Sequence, residues 1–347
     1  MVGCEGETLT RAEQLAFEEY AFGGFILFNR NCPAPEQISE LCRSLWQTAS
    51  EQPPFLAVDQ EGGQVHRLPE PFTHFPSAAQ IGQSGDIELA YQCGRCTAVE
   101  LALVGLNLNF APVLDVNSNP VNPIIGDRAF AIEPQQVIEM SSAFARGLRD
   151  GGVIPCGKHF PGHGDTEQDS HLALPIVEKS LDQLRKVEFP PFVHACRSGI
   201  EALMTAHVRF TAVDRELPAT LSEPVITDLL RHQLSYDGVV FSDDMEMKAI
   251  SANFPPEEAA ALALRAGVDV VLFCHDLAKA IAVFDNLCAL AEDDPALRAK
   301  IEASYRRIST LKRRFLKDFT GLSGEQTLAR LTAMNHQRIA DRVYGSL

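Results

Sequence analysis

The sequence predicts an α/β fold of the (β/α)8, TIM-type barrel class, and three observations carry that expectation. Eight short β-rich runs alternate with amphipathic helical stretches, the pattern of parallel βαβ units. Eight is also the strand number at which such a barrel closes, usually within about 250 residues. Polar residues follow the apolar runs directly, where a barrel keeps its chemistry. A doubly wound open sheet is the competing topology. It is disfavoured because no Gly-x-Gly-x-x-Gly follows an early strand.

Taken in order, the strand runs are residues 2–4, 24–28, 55–58, 106–110, 153–156, 202–205, 238–241 and 268–273. Each is short and nearly continuous in apolar residues, as strands covered on both faces are. Between them, 36–50, 87–104, 134–150, 180–198, 222–234 and 256–266 read as amphipathic helices. The barrel therefore occupies about 1–275. The remainder, about 276–347, reads as a helical extension with a charged segment at 298–317, expected to pack over the barrel's side. No low-complexity linker interrupts the chain, so 1–347 is expected to form a single domain.

Composition narrows the class of function. With 46% hydrophobic and 22% charged residues the chain reads as globular, and no run approaches eighteen apolar residues. A net charge of −16 argues against nucleic acid as a partner, since phosphate binding needs clustered Lys and Arg. Met1 is followed by VGCEGE, without the basic and apolar regions of a signal peptide. The nine cysteines are odd in number and scattered, which suits a reducing cytoplasm better than a disulfide framework. Cys93 and Cys96 form the one close pair, in a helix-like segment, and read as ordinary helix cysteines rather than a redox pair. A cytoplasmic monomer without membrane contact is expected.

The stretch KHFPGHGDTEQDSH, residues 158–171, is the most informative. It holds Lys158, His159, His163, Asp165, Glu167, Asp169 and His171 among glycines and a proline that forbid a regular helix. The strand at 153–156 is expected to end and release a loop of titratable groups. Other strand ends carry Asp59, Gln60 and Glu61; Pro112, Asp115 and Asn117; His207; Ser242, Asp243 and Asp244; and His275 and Asp276. Asp243 directly follows a buried strand, so its carboxylate is held and partly desolvated, fit for a nucleophile, a general base or a metal ligand. Ser242 and Asp244 suit a helix cap equally well. In an extended loop Asp169 and His171 project the same way, and a carboxylate beside an imidazole favours its protonated form. Such a His can donate a proton and later take one back. His159, His163, His171, Asp165 and Asp169 were they to converge could hold a metal, but no His-x-x-x-His is present and Lys158 would sit beside the ion. No metal or other cofactor is expected. No Gly-x-Ser-x-Gly marks a serine nucleophile.

These motifs, with AVDQEGGQVHR, GDRAF, LMTAH and FSDDMEM in the same order, resemble glycoside hydrolase family 3, and within it the single-domain bacterial β-N-acetylglucosaminidases. The resemblance implies a retaining exo-enzyme that removes terminal non-reducing GlcNAc through a glycosyl-enzyme. It makes Asp243 the nucleophile, His171 the acid/base and Asp169 its dyad partner. It places Asp59, Arg67, Arg128, Lys158 and His159 around the sugar, with His207 supporting the floor. It further implies GlcNAc-1,6-anhydroMurNAc peptides of peptidoglycan turnover as substrates. Gln64, His66, Ala129, Cys274 and His275 depart from the family's usual residues. Two alternatives remain: phosphorolysis on the same site, because a His acid/base is neutral after giving up its proton, and a non-catalytic muropeptide-binding protein. The partner expected in every case is a small carbohydrate.

Overall fold

The computed structural model describes residues 1–49, 52–166, 170 and 173–347. Eight parallel strands form one sheet: Val2–Gly3, Gly24–Leu27, Phe55–Val58, Leu108–Asn109, Ile154–Phe160, Ala202–Thr205, Val239–Asp244 and Val270–Leu272. The order along the sheet is the order along the chain. The sheet closes on itself: Val2 bridges Phe273 in parallel, and Phe273 N–H donates to Met1 O at 3.0 Å. This is the predicted (β/α)8 barrel, and it leaves no exposed strand edge.

Strand pleating sorts the apolar runs into two layers. Phe55 and Ala57 of the third strand point into the barrel with Ile26, Leu108, Phe110, Ile154, Met204 and Phe241. Leu56 and Val58 point outward and join the helix-facing core with Leu41, Leu45, Phe144 and Leu148. Both faces are buried, which is why the strands read as unbroken apolar runs. Inside, the Phe241 ring meets Phe55 at 5.8 Å and Phe110 at 5.5 Å, both edge to face. The fourth strand is short because side chains replace part of its ladder. Asn107 Oδ1 accepts from Leu56 N–H at 2.9 Å. Asn109 exchanges bonds of 3.0 and 2.9 Å with the backbone of Gln60.

Three expectations are corrected. The predicted helix 180–198 is two helices, Leu181–Lys186 and Phe189–Arg197. Pro190 and Pro191 disfavour helical geometry in the residues before them and restart the helix. The fifth strand runs on to Phe160, so Lys158 and His159 lie on a strand rather than in a loop. The charged helix Pro295–Phe315 passes beneath the barrel instead of lying along its side. Its Leu311, with Leu316 just beyond its end, enters the inner core, and Lys312 Nζ sits 4.9 Å from the centre of the Phe55 ring. A helix not singled out from sequence, Arg11–Tyr20, links the first two strands and is closed by a Thr10–Glu13 capping box. Among the described residues, no helix is long and apolar enough to cross a membrane.

Candidate active site

The C-terminal ends of the strands surround a cavity of about 260 Å³, lined by Asp59, Glu61, Arg67, Arg128, Lys158, His159, His163, Ser170, Asp243, Asp244 and His275 above an apolar floor of Ile26, Met204 and Leu272. Residues scattered over 217 positions of the chain, from Asp59 to His275, converge here: Asp59, Lys158, His159, Asp243 and Asp244 directly follow or end a barrel strand, while Arg67 and Arg128 reach in from the connections after the third and fourth strands. A larger cleft, about 670 Å³, lies at the opposite end beside Glu201, Asp237, Arg307 and Arg314. Size does not decide between them, since barrel chemistry belongs to the C-terminal face.

One wall is a quartet of charges, with Lys158 and Glu61 buried and Asp59 and Arg128 partly so. Lys158 Nζ is 2.6 Å from Asp59 Oδ1 and 2.6 Å from Glu61 Oε1. Arg128, on the short turn Gly126–Arg128, grips Glu61 in a fork, Nε to Oε2 at 2.9 Å and NH2 to Oε1 at 2.8 Å. Burial alone would raise the Glu61 carboxyl, but Arg128 and then Lys158, by charge and hydrogen bond, hold it well below the usual carboxylate range. Burial would likewise strip Lys158 of its proton; Asp59 and Glu61 reverse this and raise its pKa. Arg67 lies nearby, and its buried Nε has no hydrogen-bond partner among the described residues. A desolvated guanidinium donor facing a polar cavity calls for an acceptor from a ligand.

A second wall is organised by Asp115, which is fully buried. Its Oδ2 accepts from His159 Nδ1 at 2.7 Å, and its Oδ1 accepts from the backbone N–H of His163 at 2.7 Å. Burial opposes the Asp115 charge, yet His159, His163 and these bonds keep its pKa below the ordinary value. His163 meets Thr166 Oγ1 at 2.9 Å and Ser170 Oγ at 3.1 Å, and burial followed by the His159 charge pushes it down to about 4. Gly164 is required where it stands, because a Cβ there would come within 1.6 Å of the Val116 carbonyl oxygen.

Asp243 ends the seventh strand's polar tip, with Oδ1 accepting from the Asp244 N–H at 2.8 Å. Burial would raise its pKa, but His207, His159, the Asp244 N–H and Lys158 outweigh that and lower it. At neutral pH it is a carboxylate facing the cavity, as a nucleophile must be. His207 is not in the lining. It lies beneath, its Nε2 donating to the Asp244 carbonyl at 3.0 Å and its Nδ1 meeting Thr220 Oγ1 at 2.7 Å. Burial lowers its pKa, so it is neutral at physiological pH. Ser242 is no helix cap: its Oγ accepts from Leu272 N–H at 2.9 Å on the eighth strand. Asp276 is one, for helix Leu277–Asp293.

Asp59, Arg67, Arg128, Lys158, His159 and Asp243 thus line one cavity. Asp169 and His171 lie outside the described residues. Glu61 and Asp115 were visible in the sequence as polar strand ends but carried no assigned role. The departures at Gln64 and His66 face away from the cavity: Gln64 donates to Asp127 at 2.9 Å, and His66 stacks on His74 at 4.2 Å. His275 does form part of the wall, stacked on Phe28 at 5.4 Å and 3.4 Å from Asp244 Oδ2. Among the described residues, no cluster of three or more His, Cys, Asp or Glu is arranged to hold a metal ion.

Comparison with known proteins places this geometry in a family. The model of the glycosyl hydrolase family 3 N-terminal domain matches residues 4–311. A β-hexosaminidase of Idiomarina loihiensis is 35% identical over 302 residues, covering 86% of this chain and 90% of that protein. A family 3 β-N-acetylglucosaminidase from Paenibacillus superposes with a TM-score of 0.94 at 38% identity, covering all of this chain, which spans 66% of that longer one. NagZ from Neisseria gonorrhoeae, solved with N-trifluoroacetyl-D-glucosamine, gives 0.79 at 32% identity and covers 100% and 97% of the two chains. With its barrel, its polar strand ends and these matches in agreement, the chain belongs to glycosyl hydrolase family 3.

Proposed function

We propose that the protein is a retaining exo-β-N-acetylglucosaminidase that releases terminal GlcNAc, with peptidoglycan fragments of the GlcNAc-1,6-anhydroMurNAc type as substrates. The observation that carries this reading is the ionised Asp243 carboxylate sharing one cavity with Asp59, Lys158, Arg128 and Arg67. Carboxylates accept from sugar hydroxyls, while Lys and Arg donate to them. In the first displacement Asp243 attacks the anomeric carbon as the glycosidic C–O bond breaks. His171, oriented by Asp169, gives its proton to the departing oxygen. In the second, water attacks the same carbon, His171 takes the proton of that water, and Asp243 leaves as a carboxylate. Asp59, Arg67, Arg128, Lys158 and His159 hold the sugar, and His207 supports the nucleophile's strand from beneath.

The test is hydrolysis of p-nitrophenyl N-acetyl-β-glucosaminide beside the corresponding glucoside, with and without phosphate and EDTA. GlcNAc-selective release that ignores both additions is the expected result. GlcNAc-1-phosphate formed on adding phosphate would make it a phosphorylase. No turnover of either glycoside, with GlcNAc still bound, would leave a binding protein.

A further inference from the structure

Glu61 belongs to the cavity, yet the proposed displacements give it nothing to do. Its place is fixed by a tight turn directly after the third strand, in which Glu61 N–H and Gly62 N–H both donate to Val65 O, at 3.0 and 3.3 Å. Its oxygens are already engaged. Oε1 accepts from Lys158 and Arg128, and Oε2 accepts from Arg128. The Asp59 partner is different, since only its Oδ1 is bonded among the described residues and its side chain is 18% exposed against 5% for Glu61. Asp59 can accept a ligand hydroxyl, whereas Glu61 faces its own cations.

Those cations keep donors in reserve. Lys158 has three N–H groups, two of them directed at Asp59 and Glu61. Arg128 has five, with three directed at Glu61 and the Ile124 carbonyl. Both cationic nitrogens lie within 2.8 Å of one oxygen, Glu61 Oε1. Without a carboxylate between them, two like charges this close in a desolvated wall would repel and turn apart.

Resting on the reading of the cavity as a sugar site, we propose that Glu61 is its positioning and specificity residue: it aims Lys158 and Arg128 as a pair and cancels their excess charge, so that the site takes a neutral hydroxylated sugar and discriminates against an anionic one. With Glu61 present, two carboxylates balance two cations. With it neutralised, the quartet carries a net positive charge that an anionic sugar would satisfy. The Glu61 carboxyl stays ionised through the working pH range, held down by Arg128 and Lys158 against the effect of burial.

Two variants test this, with melting midpoints recorded for both. Glu61→Asp keeps the charge but shortens the reach. Glu61→Gln keeps the shape but removes the charge. KM and kcat would be measured on an aryl N-acetyl-β-glucosaminide, and inhibition constants for GlcNAc and GlcNAc-6-phosphate. Both variants are expected to raise KM about tenfold or more, with kcat falling less, since charge-assisted bonds to the bound sugar are misaimed. In Glu61→Gln alone, the ratio of the two inhibition constants is expected to shift about tenfold towards the phosphate. Unchanged KM and an unchanged ratio, with only the melting midpoint lowered, would overturn the proposal. So would a fall in kcat at constant KM. If Glu61→Gln does not fold, the KM of Glu61→Asp decides. Wild-type protein that neither binds GlcNAc nor turns over its glycoside would overturn the sugar reading first, and this proposal with it.

Discussion

Asp115 Oδ2 accepts the Nδ1 hydrogen of His159 across 2.7 Å, from a carboxylate with no exposure to solvent. That bond fixes which ring nitrogen of His159 is left to face the cavity. The same carboxylate gathers the backbone N–H groups of His159 and His163, at 3.2 and 2.7 Å, and so holds the start of the 158–171 stretch. Asp115→Asn removes the charge and puts an amide hydrogen against a donor. The expected loss is about ten- to a hundredfold in kcat/KM, the value of one or two charge-assisted bonds. Kinetics on an aryl N-acetyl-β-glucosaminide check this; a change below twofold would remove Asp115 from the site's support.

Asp243→Ala separates chemistry from binding. Among the described residues the Asp243 carboxylate contacts no other charged group in a direct ion pair, so its loss leaves Lys158, Asp59 and Arg128 in place. Turnover is expected to fall at least about a thousandfold, as for other nucleophile deletions. GlcNAc binding by calorimetry should persist. A variant with more than a tenth of wild-type turnover would take the nucleophile's role from Asp243.

The pH profile follows from the same group. Asp243 is held below its ordinary value, so its ionised form is lost only as pH falls through that lowered pKa. His163, pushed down to about 4, is neutral above that range, and burial lowers His207 as well. With an activated phenol leaving group, which needs little protonation, kcat/KM is therefore expected to stay level from about pH 7 down to about pH 4.5. A limb near pH 6 that persists across good and poor leaving groups would contradict the assignment. A limb that grows only with poor leaving groups would point to an acid such as His171.

Much of this was legible before the structure, for a physical reason. Strands covered on both faces carry unbroken apolar runs, so Phe55–Val58 and Ala202–Thr205 were read at their true bounds. The fifth strand was cut short because Gly157, Lys158 and His159 break its run. They are nonetheless buried, since Asp59, Glu61 and Asp115 meet them from elements 44 to 99 positions away. Local pattern shows a polar strand end but not which partner will neutralise it. The same blindness left Glu61 and Asp115 without roles. It also misplaced helix Pro295–Phe315, whose charges suggested an exposed flank while its Leu311 anchors beneath the barrel.

The C-terminal extension offers a test of electrostatics away from the cavity. His336 Nδ1 lies 2.9 Å from Glu100 Oε1, a carboxylate that also accepts from Thr73 N–H and Oγ1–H at 2.9 and 2.6 Å. Hydrogen bonds to Cys96 first, and to Glu100, raise the His336 pKa to about 9. An unfolded histidine titrates near about 6.5. A group whose folded pKa is raised stabilises the fold fully below the unfolded value and loses that contribution as pH climbs through the folded one. The window here is therefore about pH 6.5 to 9. The imidazole is partly exposed, so the contribution is expected to be about 1 kcal/mol or less after screening. Melting midpoints of wild type and His336→Gln, compared from pH 6 to pH 10, should differ most at the acid end. They should converge as pH approaches 9 and the imidazolium is lost. A gap that stays constant over the whole series would mean that His336 holds the extension by packing and not by charge.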